Sequence, residues 1–137
     1  MSRPRILEIN TGRVASVRVA PNEDLVEALE QAAGHLGFQR ALVRSGLGSL
    51  IDATFLGAQG SQNRIEGPAV ELLSLSGEIS LEEGGVEPAG ISGVVGDPTG
   101  AVWAGRFVRG LNPVCITIEA VLEELLPAPE EDWRRPF

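Results

Sequence analysis

The chain has 137 residues, 43% of them apolar, and its 19 acidic residues outnumber 11 arginines, with no lysine, to give a net charge of −8. This composition predicts a folded domain. The sequence has no secretory signal and no apolar run near the ~20 residues that span a bilayer, so we expect a cytoplasmic protein. The negative charge argues against binding to DNA or to a membrane surface, and the single cysteine, Cys115, excludes an internal disulfide.

The N-terminal part of the chain predicts one strand followed by one helix. Residues Arg13–Val19 alternate between apolar and polar side chains, which is typical of a half-buried strand. A helix is expected from Glu23–Asp24, because acidic side chains favour a first turn, to Gly34 or Gly37. Its apolar residues recur every three or four positions and form one stripe: Leu25, Ala28, Leu29, Ala32, Ala33 and Leu36.

The rest of the chain predicts short strands separated by turns and loops. The strands are expected at Arg40–Arg44, Leu50–Leu56, Val70–Leu75, Glu78–Leu81, Ile91–Val95 and Ala101–Val108. A final apolar segment, Pro113–Leu125, begins with β-branched residues and is expected to end as a strand or a short helix. Turns, bulges or loops are expected at Ser45–Ser49, Gly57–Glu66, Gly77, Glu82–Gly90 and Asp97–Gly100.

One early helix followed by many strands predicts an α+β domain, with a curved, mostly antiparallel sheet packed around one main amphipathic helix. We expect residues 1–126 to form this single domain and residues 127–137 to form a charged, proline-containing tail. Such a sheet has exposed edges, and self-association is a common way to protect them. The pattern is compatible with an oligomer but does not indicate the number of subunits.

Three segments follow one another in a distinctive order: Val19–Leu29, Gly46–Leu50 and Gly67–Gly77. They read as a strand–turn–helix opening, a glycine–serine turn and the stretch Gly-Pro-Ala-Val-Glu-Leu-Leu-Ser-Leu-Ser-Gly. In this order they resemble the PPC (plants and prokaryotes conserved) domain, and Asp97–Gly105 and Ile116–Glu119 continue the similarity. The resemblance therefore covers residues 13–125 and implies a homotrimer built on a mostly antiparallel sheet.

The resemblance also raises the question of DNA binding. In plants the PPC domain lies beside an AT-hook in nuclear proteins, and stand-alone prokaryotic members often carry a DNA-binding label on that basis alone. Here the segment Arg3-Pro4-Arg5 lacks the glycine and the flanking basic residues of an AT-hook, so we do not expect it to enter a minor groove.

Many prokaryotic members of the family carry three histidines that bind a divalent metal, and the fold is similar to that of metal-dependent acetolactate decarboxylases. The matching positions in this sequence are Gly90, Ser92 and Arg106. A zinc-like site needs three or four nitrogen, sulfur or oxygen ligands, whereas an arginine brings a fixed positive charge. We therefore expect no metal and no other cofactor at this place.

The resemblance suggests a cleft between subunits, and we expect Gly48, Ser49, Glu71, Ser92 and Arg106 to line it. Arg106 is interpreted either as a surface or salt-bridged arginine or, with Ser92, as a site for a small anion, because guanidinium pairs with carboxylate or phosphate. The turn around Gly48 and Ser49 is interpreted as structural or as lining the cleft. Glu71 and Glu119 are each interpreted as members of a structural ion pair rather than as a general acid or base.

Four further residues have a structural and a functional interpretation. His35, the only histidine, is expected to be a surface or capping residue at the end of the helix rather than a catalytic base. Cys115 is expected to belong to the core rather than to act as a nucleophile. Trp103 and Trp133 are expected to anchor the core or an interface rather than to stack on bases.

Together these observations favour a homotrimeric, metal-free binding or regulatory module, and they single out no catalytic residue. The alternative is a metal-independent enzyme that acts on a small anionic metabolite at the same cleft, with Arg106 as an electrostatic clamp. The further alternative, DNA binding, follows from the family label and is opposed by the net charge.

Overall fold

The computed structural model describes residues 3–82 and 90–127. Its elements, in chain order, are β1 Thr11–Val19, α1 Leu25–Leu36, β2 Arg40–Leu50, β3 Ala53–Leu56, a short 3-10 helix Ala58–Gly60, β4 Gln62–Ile65, β5 Val70–Ser80, β6 Gly90–Gly96, β7 Val102–Phe107 and β8 Val114–Leu125. Residues 83–89 of the expected loop, and residues 128–137 of the expected tail with Trp133, lie outside the described residues.

All eight strands form one antiparallel sheet in the order β1-β8-β2-β5-β6-β7-β3-β4. The single helix α1 packs on one face of it, which confirms the predicted α+β class. Within the described residues, no helix is long and apolar enough to cross a membrane.

The helix forms where the apolar stripe predicts it. The Asp24 carboxylate caps its first turn by accepting a hydrogen bond from the amide of Glu27 at 3.0 Å. Gly37, not Gly34, ends the helix in a left-handed conformation that favours glycine. The stripe residues that face the sheet are fully buried: Leu25, Leu29 and Ala33.

The predicted turn at Ser45–Ser49 was wrong, because β2 continues through it and pairs with both β5 and β8. The glycines here allow neighbouring strands to pack closely, and they do not reverse the chain. A Cβ on Gly46 would lie 2.6 Å from Leu75 Cδ2, and one on Gly48 would lie 2.8 Å from the Cα of Ile118. Irregular pairing with β8 beside Gly48 gives this strand its bulges.

Two further segments that were predicted to be turns or loops contain strand residues in the structure. Gly77 lies inside the continuous strand β5, where a Cβ would lie 2.8 Å from the Cα of Ile91. The polar loop expected at Gly57–Glu66 contains the short edge strand β4, which pairs with β3. Polar edge strands lack the apolar alternation that marks a buried strand, so the pattern alone does not reveal them.

The two C-terminal predictions agree with the structure. Asp97–Gly100 forms the turn between β6 and β7, with the amide of Gly100 donating to the carbonyl of Asp97 at 2.9 Å. The segment Pro113–Leu125, which was expected to end as a strand or a short helix, forms the strand β8 up to Leu125. This strand lies between β1 and β2 in the sheet.

The close approach at Gly48 gives a test of the fold. Gly48 has a φ of 139°, and a Cβ there would meet the Thr117 carbonyl on β8, so we expect Gly48→Ala to lower the free energy of unfolding by about 3 kcal/mol or more. Gly60 also has a positive φ, 78°, but a Cβ there would meet nothing within 4 Å. The control Gly60→Ala should therefore cost only about 1 kcal/mol.

Urea unfolding followed by circular dichroism measures both changes. Equal losses for the two variants would show that backbone strain alone, and not the packing of β2 against β8, makes glycine necessary at position 48.

Candidate functional site

The three positions that the family resemblance assigns to metal ligands come together in the structure. Ser92 on β6 is the cross-strand partner of Arg106 on β7, and Gly90 lies two positions earlier on β6. The Arg106 side chain extends toward Gly90, because a Cβ built on this glycine would lie 2.8 Å from the guanidinium carbon. The guanidinium therefore fills the space in which a larger side chain at position 90 would lie.

This arrangement does not fit a metal ion. The site presents one hydroxyl, no side chain at Gly90 and a positively charged guanidinium, which has no lone pair to give to a cation. Across the part of the chain that the structure describes, no group of three or more histidine, cysteine or acidic residues could hold a metal. The chemistry of the side chains favours an anion at this place.

Beside Arg106 lies an open cleft of about 770 Å³, which we call the Arg106 cleft. The helix and the neighbouring ends of β5, β6 and β7 form its walls. Its apolar lining residues are Val26, Leu56, Ile79, Ile91, Phe107 and Val108. Its charged lining residues are Glu30, Glu78, Glu82, Arg106 and Arg109.

Most charges around this cleft neutralise each other. Arg109 Nε donates to Glu30 Oε1 at 2.6 Å, and this carboxylate raises the pKa of Arg109. Glu78 forms an ion pair with Arg40, and both side chains are mostly buried. Arg106, in contrast, makes no ion pair or hydrogen bond with another described residue. Of the two arginines among the described lining residues, Arg106 is therefore the one without an acidic partner.

The other candidate residues lie elsewhere on the sheet. Ser49 on β2 is opposite Glu71 on β5, and its hydroxyl accepts a hydrogen bond from the amide of Ile116 at 3.3 Å. Glu71 and Ser76, the β5 partner of Ser92, are five positions apart, or about 16 Å at the rise of a strand. Of the five residues expected to line one cleft, Arg106 alone lines the Arg106 cleft. Ser92 is its cross-strand partner but is not part of the lining, and Gly48, Ser49 and Glu71 lie elsewhere on the sheet.

Comparisons with known proteins agree with the observed fold. The model of the Plants and Prokaryotes Conserved (PCC) domain matches residues 7–126. The chain belongs to this family. Among solved structures, a PPC protein from Pyrococcus horikoshii is 24% identical, with a TM-score of 0.72 over 95% of this chain and 89% of that one.

Two further solved structures share the PCC fold. A metal-containing protein from Archaeoglobus fulgidus is 22% identical, with a TM-score of 0.71 over 91% of this chain and 89% of that one. A Bacteroides thetaiotaomicron protein, whose name describes it as a candidate DNA-binding protein, is 18% identical, with a TM-score of 0.69 over 85% and 83%. At these identities the likeness concerns the fold.

A curated relative has a different length. The "Bifunctional protein GlmU" of a Synechococcus strain is 34% identical over 127 residues, which are 90% of this chain and 19% of that protein. This PCC chain therefore spans about a fifth of the length of the curated relatives it matches.

The remaining sequence candidates of this PCC domain lie apart from the Arg106 cleft. Glu119 is 3.9 Å from Arg18 in an exposed ion pair, as the structural interpretation expects. His35 is exposed in the last turn of α1, and Cys115 is half-buried on β8. Neither lines the cleft.

Sequence reasoning missed a hydrogen-bonded cluster around Asp97. One oxygen of its carboxylate accepts hydrogen bonds from Thr99 and Ala101, and the other accepts from the indole of Trp103 at 2.8 Å. Bonds to Thr99 and Trp103 lower the pKa of Asp97 to about 2. The signal in the sequence is Asp-Pro-Thr-Gly, in which an aspartate often bonds to the following backbone.

The lowered pKa predicts how this cluster responds to acid. The pKa of Asp97 in the folded protein is about 2 against its usual value of 3.8, so its contribution to stability is fully present above pH ~4 and is lost as the pH falls through 2. Asp97→Asn should lower the midpoint of thermal unfolding at pH 7, and the difference from the parent should shrink as the pH approaches 2.

Calorimetry between pH 2 and pH 7 measures this difference. Gln31→Glu serves as a control, because it adds an exposed carboxylate on α1, outside the hollow that Asp97 lines. A difference between Asp97→Asn and the parent that stays constant down to pH 2 would contradict the assignment.

Proposed function

We propose that this PCC chain is a homotrimeric binding or regulatory module that holds a small anion in the Arg106 cleft without a metal. The observation that carries this proposal is Arg106 itself. Its guanidinium lies beside Gly90 and Ser92, where the family resemblance expects metal ligands, and it makes no ion pair with another described residue. A charge-assisted pair with a ligand would satisfy it.

The side chains around the cleft favour binding over catalysis. A general acid or base must be available to exchange a proton with the substrate. Glu30 and Glu78 are instead held by Arg109 and Arg40. The alternative of a metal-independent enzyme would need a proton-transfer group that the described lining offers only in Glu82.

The distribution of arginines argues against the DNA-binding alternative. Six arginines of the described residues are within 4 Å of a carboxylate: Arg13, Arg18, Arg40, Arg44, Arg64 and Arg109. DNA affinity comes largely from cations that neutralise phosphates, and these cations are already neutralised in a chain of net charge −8. The label of the Bacteroides neighbour is therefore the weaker guide to function.

The uncovered face of the sheet supports self-association. Leu47 on β2 and Leu73 on β5 line a shallow hollow on the face opposite the helix and are 64% and 54% exposed. On β7, Val102 is 63% exposed, and β3 pairs with β7 only at Arg106 and Phe107. Exposed apolar side chains and an unpaired strand edge are what subunit contacts cover.

The curated relative supports the module interpretation. A domain similar to this chain makes up 19% of a much longer bifunctional protein. A domain that forms a small part of a much longer protein is well suited to bind a ligand or a partner and to regulate the larger protein.

Native mass spectrometry with elemental analysis tests the assembly. We expect three chains of 14.5 kDa per particle and less than one metal ion per chain. Leu47→Glu should yield monomers, because it places a charge in the proposed interface, while Gln31→Glu on the exposed side of the helix should leave the trimer intact. A monomeric parent protein would refute the trimer, and stoichiometric metal would refute the metal-free site.

Calorimetric titration with acetate, benzoate and inorganic phosphate at low salt tests the anion site. We expect at least one anion to bind, and Arg106→Gln to weaken it by about tenfold or more, since a charged hydrogen bond contributes about 1.5–3 kcal/mol. Arg64→Gln removes an exposed arginine that pairs with Asp52 outside the cleft, so it should leave binding unchanged. Equal effects of the two substitutions would contradict the role of Arg106.

A further inference from the structure

The lining of the Arg106 cleft discriminates between classes of anion. Six apolar residues of the described part of the chain line it, but Ile79, Ile91 and Phe107 are at least 95% buried and lie beneath its surface. The apolar wall that a ligand can cover therefore consists of Leu56, Val26 and Val108, which are partly exposed. Leu56 is the cross-strand partner of Arg106 and is 45% exposed. A ligand that reaches Arg106 therefore lies beside apolar surface as well as beside charge.

The size of the cleft also argues against a bare inorganic ion. Its volume of about 770 Å³ falls within the ~300–1,000 Å³ that is typical of sites for small organic molecules. A phosphate or acetate ion on Arg106 would occupy a small part of this volume and leave the apolar wall in contact with water. A ligand with an apolar body would cover that wall, at a gain of about fourfold in affinity per buried methylene.

The charges of the lining favour one negative charge over two. Among the described lining residues, Glu30 and Glu78 pair with Arg109 and Arg40, so the carboxylate of Glu82 is the negative charge that remains in the lining. A phosphate group carries a charge of about −1.5 to −2 at pH 7, so Glu82 repels it more than it repels a monoanion. A carboxylate carries one charge and matches the planar fork of a guanidinium through two parallel hydrogen bonds.

We propose that the Arg106 cleft binds small monocarboxylates with an apolar body, an aliphatic chain or an aromatic ring, with the carboxylate on Arg106 and the body on the wall near Leu56. This inference rests on the proposed anion site and names the chemical class of its ligand. It separates the cleft from a phosphate site, which would use the same arginine without the wall.

Calorimetric titration of the full chain with acetate, butyrate, hexanoate, hexylamine and inorganic phosphate tests this inference. We expect affinity to rise from acetate to hexanoate by about threefold to fourfold per methylene. Hexylamine has the same body with the opposite charge and should not bind measurably, and phosphate should bind at least about tenfold more weakly than hexanoate.

Two variants separate the contribution of the Arg106 charge to binding affinity from that of the apolar wall. Arg106→Gln should weaken acetate and hexanoate binding by a similar factor, because both lose the same charged contact. Leu56→Asn should weaken hexanoate binding by about fivefold or more and leave acetate binding within twofold. The matched control Leu111→Asn changes a leucine of similar exposure, 42%, that does not line the cleft, and it should leave both affinities unchanged.

The outcomes separate this inference from the proposed function. Phosphate binding that depends on Arg106, with no gain from acetate to hexanoate, would overturn the inference and leave the anion site in place. Hexanoate binding that is insensitive to Leu56→Asn would also overturn it. No binding of any of these anions would refute both the inference and the proposed anion site.

Discussion

One pair of side chains, Asp24 and Asn112, connects the helix to the sheet. Asp24 caps the helix and also accepts hydrogen bonds from the amides of Gly110 at 3.0 Å and Asn112 at 2.8 Å. The Asn112 side chain is fully buried, accepts from the amide of Thr54 at 2.7 Å and donates to the carbonyl of Val108. Buried polar groups are costly when unpaired, so this network strongly favours one position of the helix start against β3 and the β7–β8 loop.

That anchor has consequences for the cleft. The loop that Asp24 and Asn112 hold follows directly on β7, so it places Arg109 within reach of Glu30 on the helix. The helix then forms one wall of the Arg106 cleft and covers only one face of the sheet. The cleft and the uncovered apolar face are therefore two results of the same packing.

Most features that the sequence predicts are local, whereas most that it misses depend on residues far apart in the chain; the local cluster around Asp97 is an exception. The stripe from Leu25 to Leu36 and the turn at Asp97–Gly100 depend on residues that are neighbours in the chain. Gly48 was predicted to lie in a turn, because the contact that requires a glycine there is not visible in the local sequence. This contact is with the backbone of β8, some seventy residues away in the chain. The separation of Glu71 from Arg106 likewise depends on strand register, which glycine-rich strands specify weakly. Ser92 and Arg106 were grouped through family resemblance, and periodicity alone would not have paired them.

In the proposed anion site, the arginine at position 106 reverses the sign of the ligand that the family resemblance implies for this position. An imidazole offers a lone pair to a cation, whereas a guanidinium offers only donors and a positive charge, so the same position then selects for the opposite sign. The absence of a side chain at Gly90 is part of this change, because the longer arginine extends into the space left there. A larger residue at position 90 would meet the guanidinium where it lies, so the flexible Arg106 side chain would have to move. In the proposed anion site, Gly90 thus leaves free the space that the Arg106 guanidinium occupies.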